Sequence, residues 1–316
     1  MPLDILATGY PSVDHILLVN RAPQPGETGI ILDARGLEKA TLGGCPCNIA
    51  VACARLGLRA GVIIVLGDDP EGRRYRDALA AEGVDTRGVQ LVPGGCSPHC
   101  FLFVDPSGRH QTFYYPGISD RGDIALTLDD SLARGTRWGV ITVGNATHNR
   151  AVADWFARLG VPILWSLKGD PHAYPLSLVE RLANLSQLVV MNEDEAHALQ
   201  TMLDLYTLDA LFERGIRAIV LTMGAQGSRV IQTDRTVDIP PVPPRELVDP
   251  TGAGDAFTAG LLFGLCHDLS LELGARIGAV VASFVLEAWG CQTNLPTRAQ
   301  MYKRYQATFG ESLSLN

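Results

Sequence analysis

Apolar runs of strand length alternate with amphipathic stretches along most of the chain. The runs are LDILATG, AGVIIVLG, GVITVGN, VPILWSL, QLVVMN and AIVLTMG, and the amphipathic stretches include NIAVACARLG and EGRRYRDALAAEG. Continuous apolar strands with intervening helices are typical of a parallel sheet that is covered on both faces. The pattern therefore predicts an α/β fold, a three-layer α/β/α sandwich with a mostly parallel central sheet. Ligands of such sheets bind at the carboxyl ends of the strands.

Two segments, residues 11–34 and 96–115, break this alternation. Both contain turn residues between β-branched and aromatic residues, and DPSGRH at 105–110 predicts a hairpin turn. We expect these segments to pair into a small sheet that projects over the main one and forms a lid. Ordinary edge hairpins are the alternative interpretation.

Length and charge limit the classes of function. A chain of 316 residues with 47% hydrophobic content can bury a large core, as one large α/β domain or two smaller ones. The net charge is −8, and no basic run is present that would neutralise a row of phosphates, which argues against nucleic acid as a partner. No apolar run reaches 18 residues, and MPLDILATGY lacks the features of a signal peptide. These observations predict a cytoplasmic protein without a membrane partner.

The chain has seven cysteines, an odd number that suits a reducing compartment better than a disulfide framework. Cys45 and Cys47, together with Cys96 and Cys100, are a conceivable zinc site. Neither pair has the two-residue spacing of a zinc knuckle, however. Small apolar side chains that fill tight space are the preferred interpretation.

The stretch DPTGAGDAF, residues 249–257, carries the clearest chemical signal. Its glycines precede a helical pattern, so Gly252, Ala253 and Gly254 should form the first turn of a helix. Free N–H groups and the helix dipole at such a turn bind anions, and glycine allows close approach of the backbone. Asp255 follows immediately, where a carboxylate can accept the proton of a hydroxyl that attacks a phosphoryl group.

A glycine-rich turn before a helix is often only a cap, but the whole string points further. It closely resembles the second signature of the ribokinase-like, or PfkB, carbohydrate kinases, commonly Asp-Thr-Thr-Gly-Ala-Gly-Asp-x-Phe. Pro250 departs from that signature outside the anion-binding turn. The resemblance implies a single ribokinase-like kinase domain over residues 1–316, with the lid segments inserted in its α/β core.

The resemblance extends to the substrate side. GGCPCNIA at 43–50 looks like the first family signature, in which Gly43, Gly44 and Asn48 approach the sugar hydroxyls. GDDPEG at 67–72 and GVDT at 83–86 also follow the family's order. Asp14 corresponds to the family aspartate that accepts hydrogen bonds from these hydroxyls at the lid hinge. A solvated turn aspartate is the alternative for that position.

Two further strings resemble the nucleotide side of the family. MNEDEAHAL contains Asn192 and Glu195 at the spacing of the motif that organises hydrated magnesium beside the phosphates, although a helix capping box has the same spacing. LTMGAQGS resembles the nucleotide loop, in which Thr222, Gly224 and Gly227 line the phosphates and adenine. ATP and Mg²⁺ are therefore the implied cofactors, and Asn192 also contributes to nucleotide binding.

Family members frequently use a monovalent cation to brace the anion-binding turn. Asp249 and Thr251 match that site, as does Gly290, and Asn294 stands where a small polar residue is usual. Backbone carbonyls supply most ligands of such sites. The sequence therefore leaves potassium as an open expectation.

Two departures bear on the acceptor. The first signature usually has Asn or Lys and Ala where this chain has Cys45, Pro46 and Cys47, so the sugar pocket should differ in shape and polarity. At the strand end VGNATHN, Asn145 stands where some ribose-binding relatives have a carboxylate. Ribose itself is therefore a less favoured acceptor.

The resemblance implies an ATP-dependent kinase that phosphorylates a hydroxymethyl group of a sugar or sugar-like molecule. A nucleoside or phosphosugar kinase is the main alternative. In a nucleoside kinase, TFYYPG at 112–117 would stack a base or simply close the sheet, and in a phosphosugar kinase Arg109 or Lys168 would contact the substrate phosphate. A non-catalytic sensor on the same fold and a redox or metal protein are alternatives of other classes. Lids of this family often pair between subunits, which makes a homodimer plausible.

Overall fold

The computed structural model describes residues 1–33, 40–106, 110–170 and 172–313. In chain order its strands are β1 (Ile5–Thr8), β2 (Ser12–Val19), β3 (Ile31–Asp33), β4 (Thr41–Gly43), β5 (Ala60–Gly67), β6 (Asp85–Val92), β7 (His99–Val104), β8 (His110–Tyr115), β9 (Trp138–Ile141), β10 (Ile163–Ser166), β11 (Leu188–Asn192), β12 (Ala218–Thr222), β13 (Ser228–Ile231) and β14 (Thr236–Ile239). Its α-helices are α1 (Cys45–Arg55), α2 (Pro70–Ala81), α3 (Asp130–Ala133), α4 (Ala146–Leu159), α5 (Leu176–Leu185), α6 (Glu193–Leu203), α7 (Ala253–Cys266), α8 (Leu271–Val285) and α9 (Arg298–Phe309).

The large sheet has the strand order β14-β13-β12-β11-β10-β9-β1-β5-β6. Neighbouring strands from β12 to β6 are parallel, and β13 and β14 extend the sheet in antiparallel fashion. This arrangement confirms the predicted, mostly parallel central sheet. The carboxyl ends of its parallel strands share one edge, where the loops after β1, β9, β10, β11 and β12 meet.

Side chains on successive positions of the buried strands point to opposite faces of this sheet. Ile5 and Ala7 belong to the core beneath α1, α2, α7, α8 and α9, whereas Leu6 belongs to the core beneath α3, α4, α5 and α6. In β5, Val62 and Ile63 divide between the two cores in the same way. Burial on both faces explains the continuous apolar runs and confirms the three-layer α/β/α sandwich.

The small sheet has the strand order β3-β2-β7-β8, and β4 also pairs with β2. β2 and β3 come from segment 11–34, and β7 and β8 come from segment 96–115. Residue 34 and the centre of the predicted hairpin turn, 107–109, lie outside the described residues. β4 lies outside both predicted segments and joins the small sheet to α1.

One face of the small sheet looks onto the turn before α7. Register places Asp14, Ile16 and Leu18 of β2 beside alternate residues of β7 on this face. Ile16, Leu18, Leu102 and Val104 line one side of a cavity of about 210 Å³, and the other side is formed by 248–251 and Trp289. The small sheet therefore covers the edge of the large sheet at the glycine-rich turn.

Helices α7 and α8 pack unusually close together through glycines. A Cβ at Gly260 would lie 2.7 Å from the Cα of Gly278, and one at Gly264 would lie 2.6 Å from the Cα of Gly274. Such distances are too short for any side chain, so the two backbones are in direct contact. This contact fixes the position of α7, whose first turn carries the predicted chemistry.

The structure shows the state of the cysteines and describes the metal-binding and membrane-spanning features of the chain. All seven cysteines are free thiols. In the described ranges, no cluster of three or more His, Cys, Asp or Glu side chains is arranged to hold a metal ion. Nor does any helix within those ranges have the length and apolar character needed to cross a membrane.

Candidate active site

The glycine-rich turn ends at Gly252, which is the N-cap of α7 with φ of 82°. A Cβ at Gly252 would lie 2.8 Å from the Cβ of Cys291, so both the conformation and the contact require glycine. Ala253 N–H donates to the Pro250 carbonyl at 3.3 Å, and Ala256 N–H closes the first helical bond with Gly252 at 2.9 Å. The N–H groups of Gly254 and Asp255 precede that bond and have no acceptor within the helix.

Space is available above this turn. Gly254 is exposed, and a Cβ built on it meets no atom within 4 Å. An anion can therefore approach the N–H groups at the start of α7, where the helix dipole favours negative charge.

Asp255 lies in the first turn of α7 and is half-buried. Its Oδ2 accepts a hydrogen bond of 2.8 Å from Nδ2 of Asn48, and the Cys45 thiol lies near enough to lower the pKa of this carboxylate. Burial raises the pKa of Asp255, while the positive charge of Lys168, the Asn48 amide and the Cys45 thiol oppose that rise. The site thus holds a carboxylate that is more basic than usual yet aimed by fixed donors.

Asp14 is buried at the start of the small sheet and accepts a hydrogen bond from the Ser12 hydroxyl. A Cβ at Gly43 would lie 1.9 Å from its Oδ2, so the glycine of the neighbouring strand leaves the room that this carboxylate occupies. Burial, with further contributions from the negative charges of Asp255 and Asp249, raises the pKa of Asp14 to about 7. Asp14 and Asp255 therefore interact electrostatically. Gly44, which follows Gly43, is the N-cap of α1, the helix that carries Asn48.

Asn192 and Glu195 form the N-terminal capping box of α6. Oδ1 of Asn192 accepts from Glu195 N–H, and Oε2 of Glu195 accepts from Asn192 N–H, each at 2.8 Å. The other Glu195 oxygen accepts from Gly169 N–H at 3.1 Å, and burial raises the pKa of this carboxyl. Backbone donors thus occupy both carboxylate oxygens, and remaining lone pairs can meet water around a hydrated ion.

Lys168 follows β10 at the same edge of the sheet. It is exposed, and proximity to Cys45, Asp255 and Glu195 raises its pKa. Lys168 is thus the cation that balances the acidic groups of the site. Arg109, the other basic residue suggested for a substrate phosphate, lies outside the described residues.

The predicted nucleotide loop follows β12. Thr222 is paired in register with Asn192 of β11 and with Ser228 of β13. Between Thr222 and Ser228 a short 3₁₀ turn spans Gly224–Gln226, and Gly227 adopts φ of 96°. The loop therefore lies beside the Asn192 cap at the carboxyl edge of the sheet.

The predicted cation loop is held together by Asp249, which is buried. Its Oδ1 accepts from Thr251 N–H at 2.9 Å, and its Oδ2 accepts from Gly290 N–H at 3.0 Å. The Asn294 amide donates to the Phe284 carbonyl at 2.7 Å. The Gly290 bond joins the turn before α7 to the loop after α8, and the Asn294 bond ties that loop to α8 itself.

Asn145 is the N-cap of α4, and its Oδ1 accepts the N–H groups of Thr147 and His148. Its Nδ2 donates to the Asp120 carbonyl at 2.8 Å, and the Tyr10 hydroxyl donates to the carboxylate of Asp120. Both ends of the Asn145 amide are therefore engaged within the protein. Its position at the carboxyl end of β9 matches the predicted edge.

Three features of the site were not assigned from the sequence. Gln292 donates from Nε2 to Oδ1 of Asn48 at 2.9 Å, and no motif indicated it. Asp120 and Tyr10 form the network beside Asn145. The Cys45 thiol lowers the pKa of Asp255, an effect that the sequence did not indicate. For Lys168 a signal was present, since a lysine directly after an apolar strand lies at the functional edge of such a sheet.

Comparisons with known proteins show the family and the fold of the chain. Residues 36–298 match the family model described as pfkB family carbohydrate kinase. A nucleoside kinase of Methanothermobacter thermautotrophicus is 31% identical over 97% of both chains. The crystal structure of Methanocaldococcus jannaschii nucleoside kinase, an archaeal member of the ribokinase family, superposes with a TM-score of 0.85 at 25% identity, over 97% of this chain and 99% of that one. Arabidopsis thaliana ribokinase complexed with ribose and ATP shares the fold, with a TM-score of 0.82 at 21% identity over 97% and 99%. The chain therefore belongs to the pfkB family of carbohydrate kinases and has the ribokinase fold.

Proposed function

We propose that this sugar or nucleoside kinase transfers a phosphoryl group from ATP to the hydroxymethyl group of a nucleoside. The observation that carries the proposal is the position of Asp255, a carboxylate of raised pKa beside the open N–H groups of the α7 turn. A proton acceptor next to an anion-binding turn is the arrangement that phosphoryl transfer to an alcohol requires. A free sugar is the second candidate acceptor.

The acceptor is held by hydroxyl contacts. Asp14 accepts hydrogen bonds from two sugar hydroxyls, and Asn48 aims the base. Gly43 leaves the room that the Asp14 carboxylate occupies, and Gly44 is the N-cap of the helix that carries Asn48. Asp255 takes the proton of the hydroxymethyl group as its oxygen bonds to phosphorus. The bond from phosphorus to the bridging oxygen breaks, and ADP leaves. N–H groups of the turn at Gly252 and Gly254 stabilise the developing charge, and that of Ala253, which donates to the Pro250 carbonyl at 3.3 Å, would be shared with it.

The donor side is inferred to bind ATP with Mg²⁺. ATP supplies the phosphoryl group, and Mg²⁺ offsets its negative charge. Thr222, Gly224 and Gly227 would line the nucleotide, and Asn192 and Glu195 would hold the hydrated ion through water, because backbone donors occupy both Glu195 oxygens. Asp249 and Thr251 would hold potassium beside the turn that their hydrogen bond already shapes.

Support for a nucleoside comes mainly from the similarity over full length to the nucleoside kinase of M. thermautotrophicus. The aromatic residues of the small sheet offer little additional support. Tyr114 donates to the Pro11 carbonyl at 3.1 Å and packs against Tyr10, and Phe113 packs edge-on against Phe103. These contacts hold Tyr114 within the sheet, and Phe113 lies on the opposite face.

The small sheet is proposed to act as the lid of a single kinase domain. Its apolar face lies across the cavity from 248–251, so closure over a bound acceptor would exclude water from the phosphoryl group. We also retain a cytoplasmic location as a proposal, which the seven free thiols support.

The rival functions lack such support. A sugar or nucleotide sensor has no need for a carboxylate held by Asn48 at the anion-binding turn. A redox role is disfavoured because burial raises the pKa of Cys47 to about 12 and that of Cys45 still further, which suppresses the reactive thiolate.

The first prediction concerns the acceptor. In a coupled ADP-release assay over nucleosides, pentoses, hexoses and their phosphates, we expect the highest kcat/KM with nucleosides, and chromatography should identify the 5′-monophosphate. A matched nucleoside without the 5′ hydroxyl is the control and should release no ADP above background. Preference for a free sugar would select the second candidate, and no turnover with any acceptor would contradict the proposal.

The second prediction concerns the base. Asp255→Asn should keep the fold, because the amide has nearly the same shape and can still accept from Asn48. Its kcat should fall about 10²- to 10⁴-fold, since the proton acceptor is lost. Steady-state kinetics and the melting temperature provide the measurements. Asp209→Asn, the same change at an exposed position, should be unaffected; turnover near wild type in the Asp255 variant would remove it from this role.

The third prediction concerns pH. Because the pKa of Asp14 is about 7, this carboxyl is protonated below that pH and cannot accept from both hydroxyls. The acceptor kcat/KM should therefore fall as pH drops through 7 and level off above it. Asp14→Asn should remove this limb and lower kcat/KM roughly 10- to 100-fold, the cost of a charged hydrogen bond. The exposed Asp234→Asn is the control, and an unchanged profile in Asp14→Asn would contradict the assignment.

The fourth prediction concerns assembly. Phe113 and Tyr115 lie opposite the face that carries Tyr114, and they are 59% and 51% exposed. An exposed apolar face supports a homodimer formed through the lid. Sedimentation should detect a dimer that Phe113→Asp and Tyr115→Asp shift toward the monomer. Tyr206→Asp, at a residue that is 98% exposed, should not; a wild-type monomer would contradict the proposal.

A further inference from the structure

A chain of two side-chain hydrogen bonds leads from the loop after α8 to the base. Gln292 Nε2 donates to Asn48 Oδ1 at 2.9 Å, and Asn48 Nδ2 donates to Asp255 Oδ2 at 2.8 Å. An ionised carboxylate can only accept, so Asn48 must turn its NH₂ group toward Asp255. The amide oxygen of Asn48 then faces Gln292, which has to donate. The direction of both bonds is thus set by the charge at one end.

We infer that Gln292 is a positioning residue, which holds the Asn48 amide with its N–H toward Asp255. The inference rests on the proposed role of Asp255 as base. Without the Gln292 donor, the Asn48 amide can rotate and present its oxygen to the carboxylate. That orientation would repel the ionised base instead of stabilising it.

The loop that carries Gln292 contacts the site at three consecutive residues. Gly290 N–H donates to Asp249 at 3.0 Å, the Cβ of Cys291 lies where a side chain at Gly252 would stand, and Gln292 donates to Asn48. Gly290 and Cys291 are buried, and Gln292 is half-buried. This loop therefore fixes the base, the anion-binding turn and the Asp249 brace relative to one another.

Other charged and titratable groups also influence the pKa of Asp255. They must stay the same if a change in this pKa is to be attributed to Gln292. Lys168 and the Cys45 thiol both lower this pKa. Groups on other elements that interact electrostatically with Asp255 are Asp14 on the small sheet, Glu195 on α6, Cys47 on α1 and Cys291 on the same loop as Gln292. Replacement of Gln292 by an uncharged residue leaves all of these charges unchanged.

The test compares two variants of similar size. Gln292→Met removes the donor, and Gln292→Glu also draws the Asn48 NH₂ group away from Asp255. We expect kcat to fall roughly 3- to 10-fold in the methionine variant and further in the glutamate variant, the effect of one lost hydrogen bond. The acidic limb of the kcat profile should move to higher pH by about half a unit to one unit. KM for ATP should stay unchanged.

Controls separate positioning from a structural effect. Gln306→Met makes the same change on the exposed face of α9 and should have wild-type kinetics. In Asn48→Ala, which removes the middle of the chain, Gln292→Met should have no further effect on kcat. Additive losses, an unshifted pH profile or wild-type kcat in Gln292→Met would overturn the inference.

A measurement without turnover distinguishes this inference from the proposed function. The pKa of Asp255 can be read from the carboxyl ¹³C shift of protein labelled at aspartate, with Asp255→Asn to assign the signal. The pKa should rise in Gln292→Met whether or not the acceptor has been identified. An unchanged pKa would overturn the inference alone. A raised pKa in a protein that phosphorylates no acceptor would sustain the coupling and contradict the proposed function.

Discussion

The hydrogen bond between Asn48 and Asp255 is the interaction on which the site depends. It joins the first turns of α1 and α7 across 207 positions of the chain. The two helices reach this point by different routes, since α1 leaves the small sheet through β4 and α7 is fixed by backbone contact with α8. The bond therefore fixes the proposed acceptor site, the anion-binding turn and the proposed base relative to one another, and any shift of α7 moves Asp255 as well.

The sequence predicts the central part of the fold well because burial on both faces leaves a local signal. Apolar runs such as AGVIIVLG are strands whose alternate residues enter two different cores, and no other element explains them as simply. The small sheet is harder to predict. β4 has three residues, and its pairing with β2 depends on the room that Gly43 leaves for Asp14, a contact between distant segments. Such pairings have no periodicity that a single sequence reveals.

The candidate site shows the same division. The motifs place Asp14, Asn48 and Asp255 because each lies in a string with its own turn chemistry, and the structure brings these three together. Gln292 escaped notice because its role depends on one contact with a residue 244 positions away. Glu195 illustrates a different limit: its spacing from Asn192 fits both a cap and an ion site, and the observed capping box is compatible with both.

The electrostatics explain why these carboxylates can lie so close together. Asp14, Asp255 and Glu195 are all shifted toward higher pKa by burial, and Lys168 opposes the shift at Asp255 and Glu195 but is not among the causes that act on Asp14. Of these three carboxylates, Asp14 therefore has the least to offset the cost of its burial: only the hydrogen bond from the Ser12 hydroxyl lowers its pKa. Hydroxyl donors of an acceptor would supply what is lacking at that position. Under the proposed function, the cost of burying Asp14 becomes selectivity for a ligand that presents hydroxyl groups under the small sheet.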